Sequence, residues 1–444
     1  MDRDALTVVP EAAPGLDPTY AAVAPPALVA APTPARPTGT FRALHSKPFR
    51  IYFSGQIASA SGTFLQQTAI GWLVLQLTGS AASLGLVLAV GGLPSLLFGP
   101  WGGSLVDRVD LRRLLIVTQT VFGLLAAVLW VAGATGSASV GLVVGINVAG
   151  GVVSIVDSPA RQAFVGMLVP AEDLASAVSL NGVVMNSARV VGPAVAGVLI
   201  VTVGTTPCFA VNAASYAAVI VALVFVRPLQ STRTGRRTSG GVRAGIRYAR
   251  SRQQLWLPLV MMSLVGLLAF NFAVILPVLA RQTFHGSGGT YGLLSTMLSV
   301  GSIAGSLGVG FVHHPRRVYL MAAAFAFGVC LAATAIAPDV ALACVALLLT
   351  GAAAFSFVTL CSTTLQLHSS PAFRGRIMAL WVFVYLGTTP IGSAFTGWVI
   401  SVAGPRTALV IGAVACLVAA GLAARVHTPP HPDDALSDLQ LQVS

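Results

Sequence analysis

From Gly102 to Leu115 the sequence reads GGSLVDRVDLRRLL. Two Asp and three Arg crowd into positions 107–113, and apolar residues run away from them on both sides. The chain as a whole, 444 residues long, is only 9% charged. An ordinary soluble domain is about 25% charged. With 55% hydrophobic residues and a mean hydropathy of +0.85, this chain cannot cover a globular surface with polar groups. Lipid is therefore the solvent for most of it, and a dense charge cluster marks a place where the chain leaves lipid for water.

Working outward from that cluster, about 20 mostly apolar residues suffice for one spanning helix. Twelve such stretches follow one another, at roughly 50–77, 82–105, 113–134, 139–158, 175–203, 207–226, 255–280, 291–312, 318–337, 340–366, 377–402 and 406–425. The expected fold is all-α, polytopic, with both termini on one side. Of the 25 Lys and Arg, all but Arg189, Arg281 and Arg406 fall on the side of the termini. Cytoplasmic loops carry the excess of Lys and Arg, so both termini are expected in the cytoplasm. Topology thus accounts for the basic pI, and no nucleic-acid partner is implied.

The order reads as a cytoplasmic tail (1–48), a six-helix half (49–226), an Arg-rich linker (227–254), a second six-helix half (255–426) and a cytoplasmic C-terminal tail (427–444). The first forty residues hold eight prolines and read as a disordered tail. They lack the basic and apolar regions of a cleavable signal. Arg227 to Arg252 contains eight Arg and no acidic residue, as suits a linker resting on anionic headgroups. The halves echo each other: Gly192-Pro-Ala-Val-Ala-Gly197 recurs two hundred positions on as Gly392-Ser-Ala-Phe-Thr-Gly397. The five cysteines all lie in apolar stretches without a CxxC pair, which reads as buried thiols.

Three motifs carry a resemblance. Gly103-x-x-x-Asp107-Arg108 followed by Arg112-Arg113 resembles the signature loop of the major facilitator superfamily. Here Asp110 takes a place where that family has Gly. The resemblance implies a conformational latch built from Asp107, Arg108, Arg112 and Arg113. Asp157-Ser-Pro-Ala-Arg161 is similar to the loop between spans four and five in bacterial exporters related to the enterobactin exporter, and it adds Asp157 and Arg161 to the latch. Locally, Ser158-Pro159 reads as an N-cap with Pro at N1, opening a short cytoplasmic helix. Ala188-x-x-x-Gly192-Pro193-x-x-Ala196-Gly197 resembles the antiporter motif of drug–proton exchangers, and small residues at this spacing also let helices approach closely. Gly301-x-x-x-Gly305 reads as packing alone.

Polar residues inside spans are the candidates for lining a cavity. Gln56, Thr63 and Gln67 fall within about 40° of one another on span one. Asn147, Asn271 and Tyr385 join them, and Arg189 stands in mid-span, with Asn186 three residues earlier as a potential partner. Asp157 is expected at a cytoplasmic end, leaving no deep carboxylate. No phosphate loop, metal cluster or catalytic constellation occurs, since the sole lysine, Lys47, precedes Pro48. The chain is expected to be no enzyme and to need no cofactor. It reads as a monomeric secondary carrier in a bacterial plasma membrane, most simply an exporter of a small neutral or anionic organic molecule, with a proton as coupling ion. An importer is the second reading and a passive channel the third.

Overall fold

The computed structural model describes residues 41–106, 108–229, 242–310 and 316–425. The first forty residues, Asp107, the middle of the Arg-rich linker and the C-terminal tail lie outside the described residues. Fourteen α-helices follow in order: α1 (Lys47–Thr78), α2 (Ala81–Val106), α3 (Leu111–Ala134), α4 (Val140–Met167), α5 (Leu174–Thr202), α6 (Thr206–Phe225), α7 (Val242–Arg250), α8 (Gln253–Leu268), α9 (Phe272–Val278), α10 (Gly288–Val309), α11 (Arg317–Ile336), α12 (Val340–His368), α13 (Pro371–Ala403) and α14 (Pro405–Arg425). Among the described residues eleven stretches are long and apolar enough to cross a membrane. The twelfth crossing is α1, whose Gln56, Gln66 and Gln67 dilute its apolar character over 32 residues. The short α7 lies in the linker and packs on α8 and α13.

Three local expectations are corrected. The end of the N-terminal tail is ordered. Arg42–His45 forms a 3₁₀ turn and α1 begins at Lys47. The Ser46 hydroxyl donates to the Leu168 carbonyl (2.5 Å) and Arg42 pairs with Asp173 (3.1 Å), so backbone and side chains there have partners that an isolated tail lacks. The seventh span is a broken helix. It stops at Leu268, resumes at Phe272 and ends in a π turn, Leu279–Thr283. Asn271 Nδ2 donates to the Leu267 carbonyl (2.8 Å), competing for the acceptor its own backbone N–H would use in a helix. Pro277 removes a further helical donor.

The third correction concerns Ser158-Pro159, which open no new helix. α4 runs through Pro159 to Met167. Proline has no N–H, so the Ile155 carbonyl one turn back loses its helical donor. Gly102 of α2 lies directly on that carbonyl; a Cβ at Gly102 would stand 2.0 Å from the Ile155 oxygen. A glycine Cα–H can meet a carbonyl at such close approach. The charged stretch Gly102–Leu115 is therefore anchored by the glycine at its head.

The two halves meet along two pseudo-symmetric seams. Gly197 of α5 faces Gly292 of α10, where a Cβ at Gly292 would lie 2.5 Å from the Gly197 Cα. Two hundred positions later, Gly397 of α13 faces Gly85 of α2, and its Cβ would lie 2.9 Å from that Cα. The first glycine of each repeat works inside its own half: Gly192 packs on Phe64 and Leu65 of α1, and Gly392 on Leu267 and Asn271 at the broken span. Repetition in sequence is thus repetition of helix contacts. A third stripe, Gly301 and Gly305, puts α10 on the backbone of α12, with virtual Cβ atoms 1.9 and 2.0 Å from the Leu348 and Ala352 carbonyl oxygens. Backbone cannot yield as a flexible side chain can, so Gly301→Val is expected to cost about 1–3 kcal/mol or more. It should lower the thermal midpoint of the purified protein in detergent by several degrees; an unchanged midpoint would show that the α10–α12 contact is dispensable.

Candidate functional site

Two polar centres stand inside the apolar bundle. The first is Arg189, fifteen residues into the 29-residue α5. Its guanidinium lies over the Phe64 ring of α1 (5.6 Å) and over the Phe355 ring of α12 (5.1 Å), one from each half. It is half-buried and makes no hydrogen bond or ion pair with the described residues; Asn186 does not serve it. Five N–H donors are thus left for a partner of another kind. Phe355 belongs to an aromatic group gathered by the break in the seventh span. Phe270, in the gap between α8 and α9, meets Phe327, Phe355 and Tyr385 edge-on at 5.3, 6.1 and 6.3 Å. Tyr385 stacks on Trp381 (6.0 Å) and lies within electrostatic range of Arg189.

The second centre is Asp157. It is 4% exposed, and both carboxylate oxygens are held. Oδ1 accepts from the Thr118 hydroxyl (2.6 Å) and from Gln119 Nε2 (2.7 Å), both on α3. Oδ2 accepts from Arg161 Nε (2.7 Å), one turn along α4. Because α4 continues to Met167, Asp157 stands ten residues inside its end, about 15 Å along the axis. That helix is about 42 Å long, against about 30 Å of hydrocarbon. The expectation that Asp157 sits at a helix end is corrected. Its physical source is Pro159, which looks locally like a helix start and is not one.

The remaining candidates divide. Ala188, Gly192, Pro193 and Gly197 divide between two contacts of α5: Ala188 packs with Ala60 and Val184 and Gly192 on α1 inside the first half, while Gly197 and the Pro193 carbonyl meet Gly292 of the second. Gln56 is buried at 3% exposure, and Thr63 bonds Tyr216 OH of α6 (3.2 Å), so both turn into the first half. Gln67, on the edge of the same face, is exposed. Asn147 donates to its own helix at Val143 and packs on Gly91 of α2. Asn271 is used at the helix break.

The basic residues of the opening stretch act within one half. Arg112 donates to the Leu223 carbonyl (2.7 Å) and to the Val224 carbonyl, closing the end of α6. Asp110 caps α3 by accepting from the Arg113 N–H (3.0 Å), while the Arg113 side chain is 87% exposed. Arg108 is exposed. Among the described residues no ion pair joins the two halves; Asp107 lies outside them. Sequence reasoning missed Arg281, which in the sequence bears on topology alone. Its guanidinium reaches across to the Leu75 carbonyl at the end of α1, beside the stacked Trp72 and Tyr291 (6.3 Å).

A broken span, paired seams and charged groups inside the helix bundle are features of carriers. The family model described as "Transmembrane secretion effector" matches residues 38–442. The chain belongs to that family. Its members are membrane transporters of the major facilitator type, not enzymes, and this protein is a multi-pass transporter with a small-molecule substrate. Among its relatives is the staphyloferrin A transporter of Staphylococcus aureus, 26% identical over 58% of this chain and 66% of that one. Macrolide efflux protein A of Streptococcus pyogenes is 24% identical over 78% of this chain and 87% of the relative. The multidrug efflux pump Tap of Mycolicibacterium fortuitum is 25% identical over 80% and 90%. In fold, the chain is similar to a bacterial homologue of the human lysosomal transporter Spinster in an inward-facing, unoccupied conformation. That match has a TM-score of 0.68 at 16% identity, covering 87% of this chain and all of the other. The likeness to this solved structure establishes the fold alone.

Proposed function

We propose that the protein exports a small organic anion with an aromatic or apolar body, by alternating access and in exchange for protons. The observation that carries this reading is Arg189: a guanidinium at mid-helix, between aromatic rings of both halves, with its donors open. A charge at that depth costs about 2.5–3.5 kcal/mol on insertion scales, and packing alone would favour an apolar residue. A planar fork suits a carboxylate or a similar anionic group. The rings around it suit the body of the same molecule. The names of the relatives, a siderophore transporter and two efflux pumps, favour export of an organic molecule.

Orientation follows from the distribution of Lys and Arg, with both termini in the cytoplasm. On that reading Arg281, Leu75, Trp72 and Tyr291 close the outer end of the cleft, and the carrier is closed to the outside. Reporters active only in the cytoplasm should work when fused after Arg237 and after Ser444. One active only outside should work when inserted near Gly286. An outside-active fusion at Arg237 would reverse the direction.

Asp157 is the proton site in this reading. From residue 174 to residue 425 the only acidic side chain is Asp339, which caps the start of α12 in a loop. Asp157 is thus the one buried carboxylate on hand among the described residues. Carboxyfluorescein serves as an aromatic anionic probe. Proteoliposomes holding the full-length protein should concentrate it in an acidic lumen, because protons leaving the lumen drive the anion in. Passive distribution of a weak acid runs the opposite way. Uptake driven only by an acidic bath would indicate an importer, and equilibration without accumulation would indicate a channel.

A further inference from the structure

The first half contains a ring of four helices. α1 packs on α6, α6 on α3, α3 on α4, and α4 back on α1. A polar stripe runs through its interior beside an apolar cluster that includes Phe49, Leu115, Phe164 and Val219. On α1, Tyr52, Gln56, Ser59, Thr63 and Gln66 follow at intervals of four, three, four and three residues, which keeps them on one face for about 21 Å. At one end Tyr52 meets Phe164 of α4 edge-on (5.4 Å), within electrostatic range of Arg161 and Asp157. Toward the other, Thr63 bonds Tyr216 OH (3.2 Å), and Gln66 Oε1 accepts from Asn212 Nδ2 (2.8 Å). Tyr216 is the hinge of the set. It lies within range of Arg161, Asp157 and Asn212 and stacks on Phe122 of α3 (5.6 Å).

Three buried polar atoms in this ring find no partner within the protein: Gln56 Oε1, Ser59 Oγ and Gln119 Oε1. A buried polar atom left without a partner is destabilising. Internal water, making about three hydrogen bonds each time, is the usual remedy where the site is polar. Packing does not require the polarity. In the order of the repeat, the matching helices α8, α11 and α12 of the second half fully bury Met261, Val265, Phe327, Leu331, Phe357 and Cys361, beside Asn271, Thr334 and Thr350. Its core hydrogen bond between side chains is the pair Thr334–Thr350 (3.2 Å).

We infer that internal water between Gln56, Ser59 and Gln119 completes a proton relay from Asp157 through Tyr216 to Thr63 and Gln66, inside the first half. It reaches the level of Phe64 and Arg189 without passing through the cleft between the halves. This rests on Asp157 as the proton site. Asp157 bonds Arg161 on its own helix and Thr118 and Gln119 on α3, with Tyr52 on α1 and Tyr216 on α6 within electrostatic range. The step involves no redox change: a water or hydroxyl O–H bond breaks as the next forms, and the proton leaves the Asp157 carboxyl as it restores the carboxylate.

The test has two arms on the full-length protein. In the first, hydroxyl radicals made in place by X-ray pulses label side chains that touch water. Tyr216 should label readily, and Gln56→Leu combined with Ser59→Ala should reduce its labelling at least several-fold. Labelling of Tyr216 that is absent, or unchanged by those substitutions, would overturn the inference. In the second arm, Tyr216→Phe should slow pH-driven probe uptake about tenfold while leaving substrate counterflow, which moves no net proton, near the wild-type rate. The milder Ser59→Ala should slow it in the same direction and guards against a folding defect in the larger changes. Full pH-driven uptake in Tyr216→Phe would make the water structural only and end the relay. If Asp157→Asn retains pH-driven uptake, the proton site itself is wrong. If wild-type protein moves no probe, the substrate reading fails while the labelling arm still decides whether the interior is wet.

Discussion

Arg189→Ala protein is expected to reach the membrane in wild-type amounts and to bind the anionic probe about 10- to 150-fold more weakly. The range follows from a hydrogen bond to a charged group, about 1.5–3 kcal/mol, at about 1.4 kcal/mol per tenfold. Insertion should not suffer, because alanine removes a charge that is costly at mid-membrane. Phe64 and Phe355 each lose a cation–π contact, worth about 0.5–2 kcal/mol depending on desolvation. Arg189→Lys should also lose most transport, since an ammonium keeps the charge but not the planar fork. Equilibrium binding of carboxyfluorescein to purified protein, followed by its fluorescence anisotropy, reads the affinity, and a blot of the membrane fraction reads abundance. Normal binding by Arg189→Ala would remove the substrate assignment. Failure of both variants to accumulate would make Arg189 a structural residue.

The second large effect is expected at Asp157. Asp157→Asn should abolish accumulation driven by a pH gradient and spare counterflow. The substitution also leaves Arg161 without its 2.7 Å partner. Breaking a buried pair costs about 3–5 kcal/mol, so misfolding is a second route to lost activity in the single variant. The double variant Asp157→Asn with Arg161→Gln removes both charges and keeps groups able to hydrogen-bond Thr118 and Gln119. It should be better folded than the single variant by thermal midpoint, should catalyse counterflow, and should remain uncoupled from the pH gradient. A double variant that still concentrates the probe against its gradient would show that the proton is carried elsewhere.

These two residues illustrate how unevenly the site is legible in the sequence. Arg189 needs no structure to stand out, because one Arg in an apolar span is costly wherever its side chain points. Its aromatic neighbours are not legible: Phe64, Phe270, Phe355 and Tyr385 come from four crossings, and an aromatic residue in a lipid-soluble helix looks the same whether it meets lipid, protein or a substrate. Gln56 and Thr63 share one face of α1, yet helical periodicity does not say which neighbour that face meets. It turns into the first half, toward α6, and not toward Arg189.

Composition and periodicity by themselves determined that the chain lives in lipid, crosses it twelve times and repeats itself after the Arg-rich linker, because hydrophobic length and glycine spacing are local properties of a chain in a bilayer. The glycines of the repeat even marked the seams, since only close helix contact requires them at such regular spacing. What the tertiary structure alone decided was the fate of two prolines, two charged groups and one break. Pro159 looks like the start of a helix, and continues one because Gly102 of another helix lies against the carbonyl it frees. Asp157 is therefore buried inside a continuous helix and not in a surface loop. Asn271 breaks a span that hydropathy reads as continuous, and Pro277 removes a helical donor beyond the break, because hydropathy measures solvent preference and not the hydrogen bonds of the backbone. Partners distant in sequence set these outcomes, and no window of the sequence contains them.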